Sequence, residues 1–170
     1  MSLTLILGGA RSGKSRHAEE LVERAPPPWR YIATAQAWDD EMAARIAEHR
    51  ARRESGWRTI DAPHDLAAAL RALPPGAPVL VDCLTLWLSN RLLAEADLAA
   101  EGAALVEALA GHDGPLVAVS NEVGLSIVPD NPLGRRFRDA QGRLNQSVAA
   151  RASRVIFMVA GLAMTVKDET

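Results

Sequence analysis

Residues 8–15 carry the clearest chemical signal in the chain: Gly8-Gly9-Ala10-Arg11-Ser12-Gly13-Lys14-Ser15. The pattern G-x-x-x-x-G-K-S is that of a phosphate-binding loop. Gly8 and Gly13 permit backbone angles closed to other residues, so successive N–H groups can turn inward onto phosphate oxygens. Lys14 sets a point charge against β- and γ-phosphates, and the Ser15 hydroxyl is placed to ligate Mg²⁺. The alternative is a glycine-rich turn that binds nothing, and the flanking sequence argues against it. Leu3-Thr4-Leu5-Ile6-Leu7 is a short apolar run suited to a buried strand, and Arg16 to Arg24 continues as a helix. Strand, loop and helix is the context the motif requires, and the helix adds the positive end of its dipole.

Two further stretches bear reactive side chains. Val79-Leu80-Val81-Asp82 ends a buried-strand pattern in an acid. In phosphate-loop proteins an acid there completes the metal shell opposite the loop hydroxyl, although a simple turn Asp fits the same spacing. Cys83 beside it reads as a small buried residue rather than a nucleophile. The stretch from Asp39 to about Ser55 has helical spacing, and His49 shares a face with Met42 and Ile46. Arg45, Arg52 and Arg53 fall three or four residues from His49 on the same face. Cations so placed favour the neutral, nucleophilic imidazole and could neutralise a phosphate under attack. A packed histidine beside solvated arginines accounts for the pattern equally well.

These groups must be held by a framework, and strand-like and helix-like stretches alternate from end to end. That order predicts a doubly wound α/β fold on a mostly parallel sheet, one domain over residues 1–170. Arg30 to Thr34 and Trp57 to Asp61 read as strands, Asp65 to Leu73 as a short helix. Leu84 to Ala94 and Asp97 to Ala110 read as helices, Leu116 to Ser120 as a strand and Asn121 to Pro132 as a loop. Leu133 to Ser153 is helical in pattern apart from Gly134 and Gly142, and Val155 to Val159 gives the last strong strand.

The chain has 170 residues with 19 Lys and Arg against 21 Asp and Glu, a net charge of −2. Nothing in that balance supports a nucleic-acid or anionic-membrane surface. No apolar stretch reaches transmembrane length, and the first apolar run belongs to the loop strand rather than to a signal peptide. With one cysteine, Cys83, an intramolecular disulfide is excluded and a cytoplasmic protein is expected. His17, His64 and His112 have no metal-ligand spacing. The four tryptophans, Trp29, Trp38, Trp57 and Trp87, are expected mostly in core or interface positions, with stacking on a ligand as the alternative.

Beyond the loop, the chain carries Arg16-His17-Ala18-Glu19, Tyr31-Ile32-Ala33-Thr34-Ala35-Gln36, Asp39 to Ile46 leading into His49, and Trp57-Arg58-Thr59 leading into Asp61. Asn121-Glu122-Val123-Gly124, Ile127-Val128-Pro129, Phe137-Arg138-Asp139 and Gly142-Arg143-Leu144-Asn145-Gln146 follow. With these stretches, essentially the whole chain resembles the bifunctional adenosylcobinamide kinase / adenosylcobinamide-phosphate guanylyltransferase family of cobalamin biosynthesis.

The resemblance implies two reactions. ATP or GTP phosphorylates the aminopropanol hydroxyl of adenosylcobinamide, and GTP then donates GMP to that phosphate, releasing pyrophosphate. It implies that GMP travels on His49, which here follows Glu48 rather than a second histidine. It also implies guanine-nucleotide contacts from the loop, from Thr34, Ala35 and Gln36, from Arg50, Arg52 and Arg53, and from Asp61 and Asp82. Mg²⁺ would be held by Ser15 and Asp82, and a homo-oligomer is implied, with a trimer as its expected form. For Thr34 to Gln36 there is a physical case as well, since polar groups just past strand ends line the nucleotide cleft of such sheets. Asp61 could accept from the guanine N1 and N2 donors or from ribose, and a solvent-facing acid before Pro63 accounts for it equally well. Arg135, Arg136 and Arg138 read as phosphate or corrinoid contacts or as a solvated helix face. Two other functions compete: a phosphate-loop small-molecule kinase with no covalent intermediate, and a nucleotide-dependent switch. Against the switch, the chain lacks an Asn/Thr-Lys-x-Asp guanine signature.

Overall fold

The computed structural model describes residues 2–36 and 55–169. Strand β1 (Ser2–Gly8) runs straight into the phosphate loop, and helix α1 (Lys14–Val22) leaves it. There follow β2 (Trp29–Ala33), β3 (Trp57–Asp61), α2 (Leu66–Arg71), β4 (Val79–Asp82), α3 (Leu84–Leu93) and α4 (Leu98–Ala110). The chain continues with β5 (Pro115–Asn121), α5 (Pro132–Arg151), β6 (Arg154–Val159) and β7 (Leu162–Asp168).

The sheet is ordered β3-β2-β4-β5-β1-β6-β7. All neighbours pair in parallel except β7, which runs antiparallel to β6. Parallel strands are covered on both faces and so read as unbroken apolar runs. Accordingly Val79, Leu80 and Val81, and every residue from Leu116 to Ser120, are buried. The mostly parallel α/β fold expected from the sequence is the fold observed.

The two faces have separate cores. On one, α1 packs Ala18 and Val22 against Ile6, Leu80, Val117, Val119, Ile156 and Met158. On the other, α2 to α5 cover Leu5, Ile32, Val81 and Ala118, with Trp87 and Leu88 between helix and sheet. Side-chain caps fix two of these helices. Asp97 accepts from the Ala99 and Ala100 N–H groups at 3.1 and 3.0 Å, and Asn131 accepts from the Gly134 N–H at 2.7 Å. Helix α5 runs unbroken through Gly134 and Gly142, at a propensity cost of about 1 kcal/mol each. Burial of Ala140, Leu144 and Val148 offsets that cost, and a Cβ at Gly134 would meet Pro129 Cβ at 2.8 Å.

Strand β7 lies beyond the last strand read from the sequence. It is an edge strand, exposed along almost its whole length, so its residues show no buried run. Its hairpin turns through Ala160 and Gly161, both at positive φ, and Gly161 N–H donates to Ser12 O at 3.1 Å. The last hairpin therefore braces the phosphate loop.

Trp29 and Trp57 open β2 and β3, with ring centroids 5.5 Å apart. They stand at the N-terminal edge of the sheet, opposite the loop, and donate to Ala25 O and Glu23 Oε1. Trp87 is buried and donates to His64 O at 2.9 Å. These three serve the framework; Trp38 lies outside the described residues. Among the described residues no helix is long and apolar enough to cross a membrane.

Candidate active site

The loop closes tightly over its own backbone. Gly8 has φ +153°, and a Cβ there would meet Met158 O at 2.6 Å and Ser12 Oγ at 2.7 Å. Gly13, at φ +94°, turns the chain into α1. The Lys14 ammonium folds back to donate to Gly9 O and to Ser12 Oγ, and both Ser12 and Lys14 are buried. Burial pulls Lys14 below its ordinary pKa, with Cys83 and Asp82 acting in the opposite direction. Ser15 follows in the first turn of α1, half-buried.

Strand register places the acids. Asp61, Ala33 and Asp82 are aligned across β3, β2 and β4, and Asp82 is aligned with Val119 of β5. Aligned residues of neighbouring strands share a face, and Val119 belongs to the core beneath α1. Asp61 and Asp82 therefore stand on the α1 face at the C-terminal edge of the sheet, on the same side as the phosphate loop. With two strand spacings between them, their Cα atoms are about 10 Å apart. Asn121, two residues beyond Val119 and aligned with Gly8, shares that face. Open α/β sheets bind their ligands along this edge.

Asp82 is oriented by Tyr31, whose hydroxyl donates to Oδ2 at 3.1 Å. Thr34 is fully buried; its N–H donates to Asp82 O at 3.2 Å, and its hydroxyl bonds twice to the Cys83 backbone. Burial, with the charge of Asp82, pushes the Cys83 thiol up to about 12. The thiol is inert at neutral pH, as its sequence context suggests.

Two supporting networks escape a reading of the sequence. In α3, Trp87, Asn90 and Arg91 occupy one helix face and grip the two connections that leave β2 and β3. Asn90 Nδ2 donates to Thr34 O and Pro63 O, each at 2.9 Å. Arg91 is bidentate on Glu101 at 2.6 and 2.7 Å, which raises the pKa of the guanidinium and holds Glu101 below its ordinary range. The one signal for this face is a polar pair inside the apolar run Leu84-Thr85-Leu86-Trp87-Leu88-Ser89-Asn90-Arg91.

The second network gives a role to Asn145 of the stretch Gly142-Arg143-Leu144-Asn145-Gln146. Ser120 Oγ donates to Asn145 Oδ1 at 2.7 Å, and Gln141 Nε2 donates to both at 2.9 Å. Asn121 is then clamped on both sides: its N–H donates to Thr85 Oγ1 at 2.7 Å, and its carbonyl accepts from Asn145 Nδ2 at 3.1 Å. Glu122 N–H donates to Gly8 O at 3.1 Å, so the clamp holds the end of β5 against the phosphate loop.

Of the arginines in α5, Arg135 donates to Pro129 O, and Arg138 pairs with Asp139. Arg136 lies with Arg143 along a groove between α4 and α5, on the sheet face opposite α1. The structure thus gathers residues 8–15, Thr34, Ala35, Gln36, Asp61 and Asp82 along one edge. His49, Arg50, Arg52 and Arg53, with the helix expected from Asp39 to Ser55, fall at 37–54 and the turn beyond; residues 37–54 lie outside the described residues.

A family model described as cobinamide kinase / cobinamide phosphate guanyltransferase matches residues 4–166. The chain belongs to this family. It is 54% identical to the bifunctional adenosylcobalamin biosynthesis protein CobP of Pseudomonas aeruginosa, over 97% of each chain. With the bifunctional adenosylcobalamin biosynthesis protein CobU of Salmonella typhimurium it shares 42% identity, over 97% of this chain and 99% of that one. Among solved structures, a Pyrococcus horikoshii protein aligns with a TM-score of 0.54 at 9% identity, over 99% of this chain and 87% of that one. An ATPase from the type III secretion system of pathogenic bacteria aligns at 0.52 and 13% identity, over 96% of this chain and 56% of that one. At these identities the structural likenesses concern the fold alone. Family membership is what separates a kinase and guanylyltransferase from the competing nucleotide switch.

Proposed function

We propose that this chain phosphorylates the aminopropanol hydroxyl of adenosylcobinamide with ATP or GTP, then transfers GMP from GTP to the new phosphate through His49. What carries the reading is the placement of Lys14, just past β1, and Asp82, at the end of β4, on one sheet edge with only β5 between those strands, in a chain of this family.

In the first reaction the substrate hydroxyl attacks the γ-phosphorus and the bond to the β-bridging oxygen breaks, leaving the nucleoside diphosphate. Lys14 balances charge on the β- and γ-phosphates, and the N–H groups of the loop and of the first turn of α1 hold their oxygens. Ser15 and Asp82 would hold Mg²⁺. Among the described residues no cluster of three or more His, Cys, Asp or Glu forms an all-protein metal cage. One hydroxyl and one carboxylate suit an ion that takes its remaining ligands from phosphates and water. When bound, Mg²⁺ neutralises charge developing on the transferred phosphoryl group.

In the second reaction an imidazole nitrogen of His49 attacks the α-phosphorus of GTP, and pyrophosphate leaves. A phosphate oxygen of the corrinoid then attacks that phosphorus, the P–N bond breaks and the imidazole is released. Arg50, Arg52 and Arg53 offset the phosphate charge, and Ala35, Gln36 and Asp61 contact the guanine nucleotide. Thr34, expected among these contacts, is fully buried with its hydroxyl spent on the Cys83 backbone, and so positions them without touching the ligand. The working form is a homo-oligomer, with a trimer expected. Leu162, Met164 and Val166, exposed on an open sheet edge, are consistent with that and are checked by sedimentation.

The test is incubation with Mg²⁺ and GTP labelled at the α-phosphate, followed by denaturation. Wild type should retain an acid-labile, base-stable label that His49→Ala lacks. If wild type phosphorylates cobinamide yet takes up no label, the covalent step is wrong and a kinase without an intermediate remains.

A further inference from the structure

We propose that His64 is a positioning residue: held by the Arg91–Glu101 pair, it sets which end of the Gln36 amide is presented to the nucleotide. The proposal rests on the reading of Gln36 as a nucleotide contact.

Helix α3 supplies the geometry. Trp87 donates to His64 O and Asn90 to Pro63 O, so the backbone just past β3 is fixed. Arg91 spends Nε and Nη2 on Glu101, which locks the guanidinium plane and leaves Nη1 3.4 Å from His64 Nδ1. A guanidinium can only donate. His64 Nδ1 is therefore the acceptor, and the ring proton sits on Nε2.

That proton needs an acceptor, and the group in front of it is the Gln36 amide. Gln36 Nε2 lies 3.2 Å from His64 Nε2, while Gln36 Oε1 is buried with no hydrogen-bond partner. Two donors would then face each other and a buried acceptor would be left unmade, which is costly twice over. A half-turn of the amide exchanges two ends of nearly equal size, separates the two donors and pairs Oε1. Oε1 then accepts from His64 Nε2–H, and the amide NH₂ takes the buried position that Oε1 vacates. No hydrogen bond is made at that position as it stands. Gln36 becomes a donor of fixed polarity at the C-terminal edge of the sheet, two residues past Thr34, and its natural complement is an acceptor atom of the bound nucleotide.

Two measurements test this. Nitrogen-15 NMR of the histidine rings should show His64 as the Nε2–H tautomer in wild type, with that preference lost in Arg91→Ala. Calorimetry with α,β-methylene-GTP, whose α-phosphorus resists transfer, should show His64→Ala weakening binding by about tenfold, as for the loss of one well-placed hydrogen bond. Gln36→Ala should lose the same factor, and the double variant no more, because His64 acts only through Gln36. His64→Gln, which again offers an N–H, should recover affinity to within about threefold of wild type. An Nδ1–H tautomer, or losses that multiply in the double variant, would overturn the proposal alone. Wild-type affinity in Gln36→Ala would overturn the nucleotide assignment of Gln36 and the proposal with it.

Discussion

Thr34 and Cys83 bond to each other in both directions across β2 and β4. The Thr34 hydroxyl donates to Cys83 O at 2.7 Å and accepts from Cys83 N–H at 2.8 Å. A threonine just past a strand end thus ties down the connection that follows Asp82. Thr34→Val keeps the shape and leaves the buried Cys83 N–H unpaired, at an expected cost of about 1–3 kcal/mol. Thr34→Ser should recover most of that loss. Urea unfolding of the three proteins measures it, and equal midpoints for Val and Thr would show that the double bond contributes nothing.

Lys14 sits under opposite demands from stability and catalysis. Its burial disfavours the charged form, so Lys14→Met should leave the folded state as stable as wild type or more so. The variant should nonetheless lose at least about a hundredfold in kcat for phosphoryl transfer, the usual effect of removing a preorganised group from a developing anion. Thermal unfolding and steady-state kinetics on the same samples separate the two effects.

Cys83 offers a direct check of the core beneath α1. With its pKa pushed up to about 12, the thiolate fraction at pH 8 is on the order of one in ten thousand. Iodoacetamide should leave the native protein unmodified for hours and label it fully in denaturant. Mass spectrometry reads both states, and rapid labelling of the native protein would contradict the buried placement of the residue.

Glu101 gives a pH signature. Its hydrogen bond with Arg91 lowers its pKa in the folded state. The pair therefore stabilises the fold fully above the unfolded value of about 4.3 and loses that contribution as pH falls through the lowered folded value. Wild type should be more stable than Glu101→Gln at pH 7, with the gap shrinking steadily below about pH 4. Urea midpoints across that range test the sign as well as the size.

The sequence and the structure agree where the signal is local. Residues 8–15 announce their chemistry because one contiguous stretch supplies backbone, cation and hydroxyl together. The strands Val79–Asp82 and Trp57–Asp61 are legible because burial on both faces, or a Trp start and an Asp stop, marks them without reference to neighbours. Asn90 is different. Its two acceptors lie 56 and 27 residues away, and nothing near it in the chain reveals that it holds Thr34 and Pro63. His64 and Asn145 are hidden for the same reason, since each contributes through the fold rather than through its neighbours. Strand β7 is not legible in the sequence because its residues are almost all exposed along a sheet edge.

The position of β1 also constrains when the protein can first become competent during synthesis. Its hydrogen-bonding edges are filled by β5 and β6, and its loop is braced by Gly161. All three partners are encoded more than a hundred residues downstream of the strand itself. A nascent chain stalled on the ribosome before residue 115 has emerged holds the complete G-x-x-x-x-G-K-S stretch with neither lateral support in place. The motif translated first is thus among the last to mature, and the emerging chain remains unable to grip nucleotide until its sheet has closed around β1.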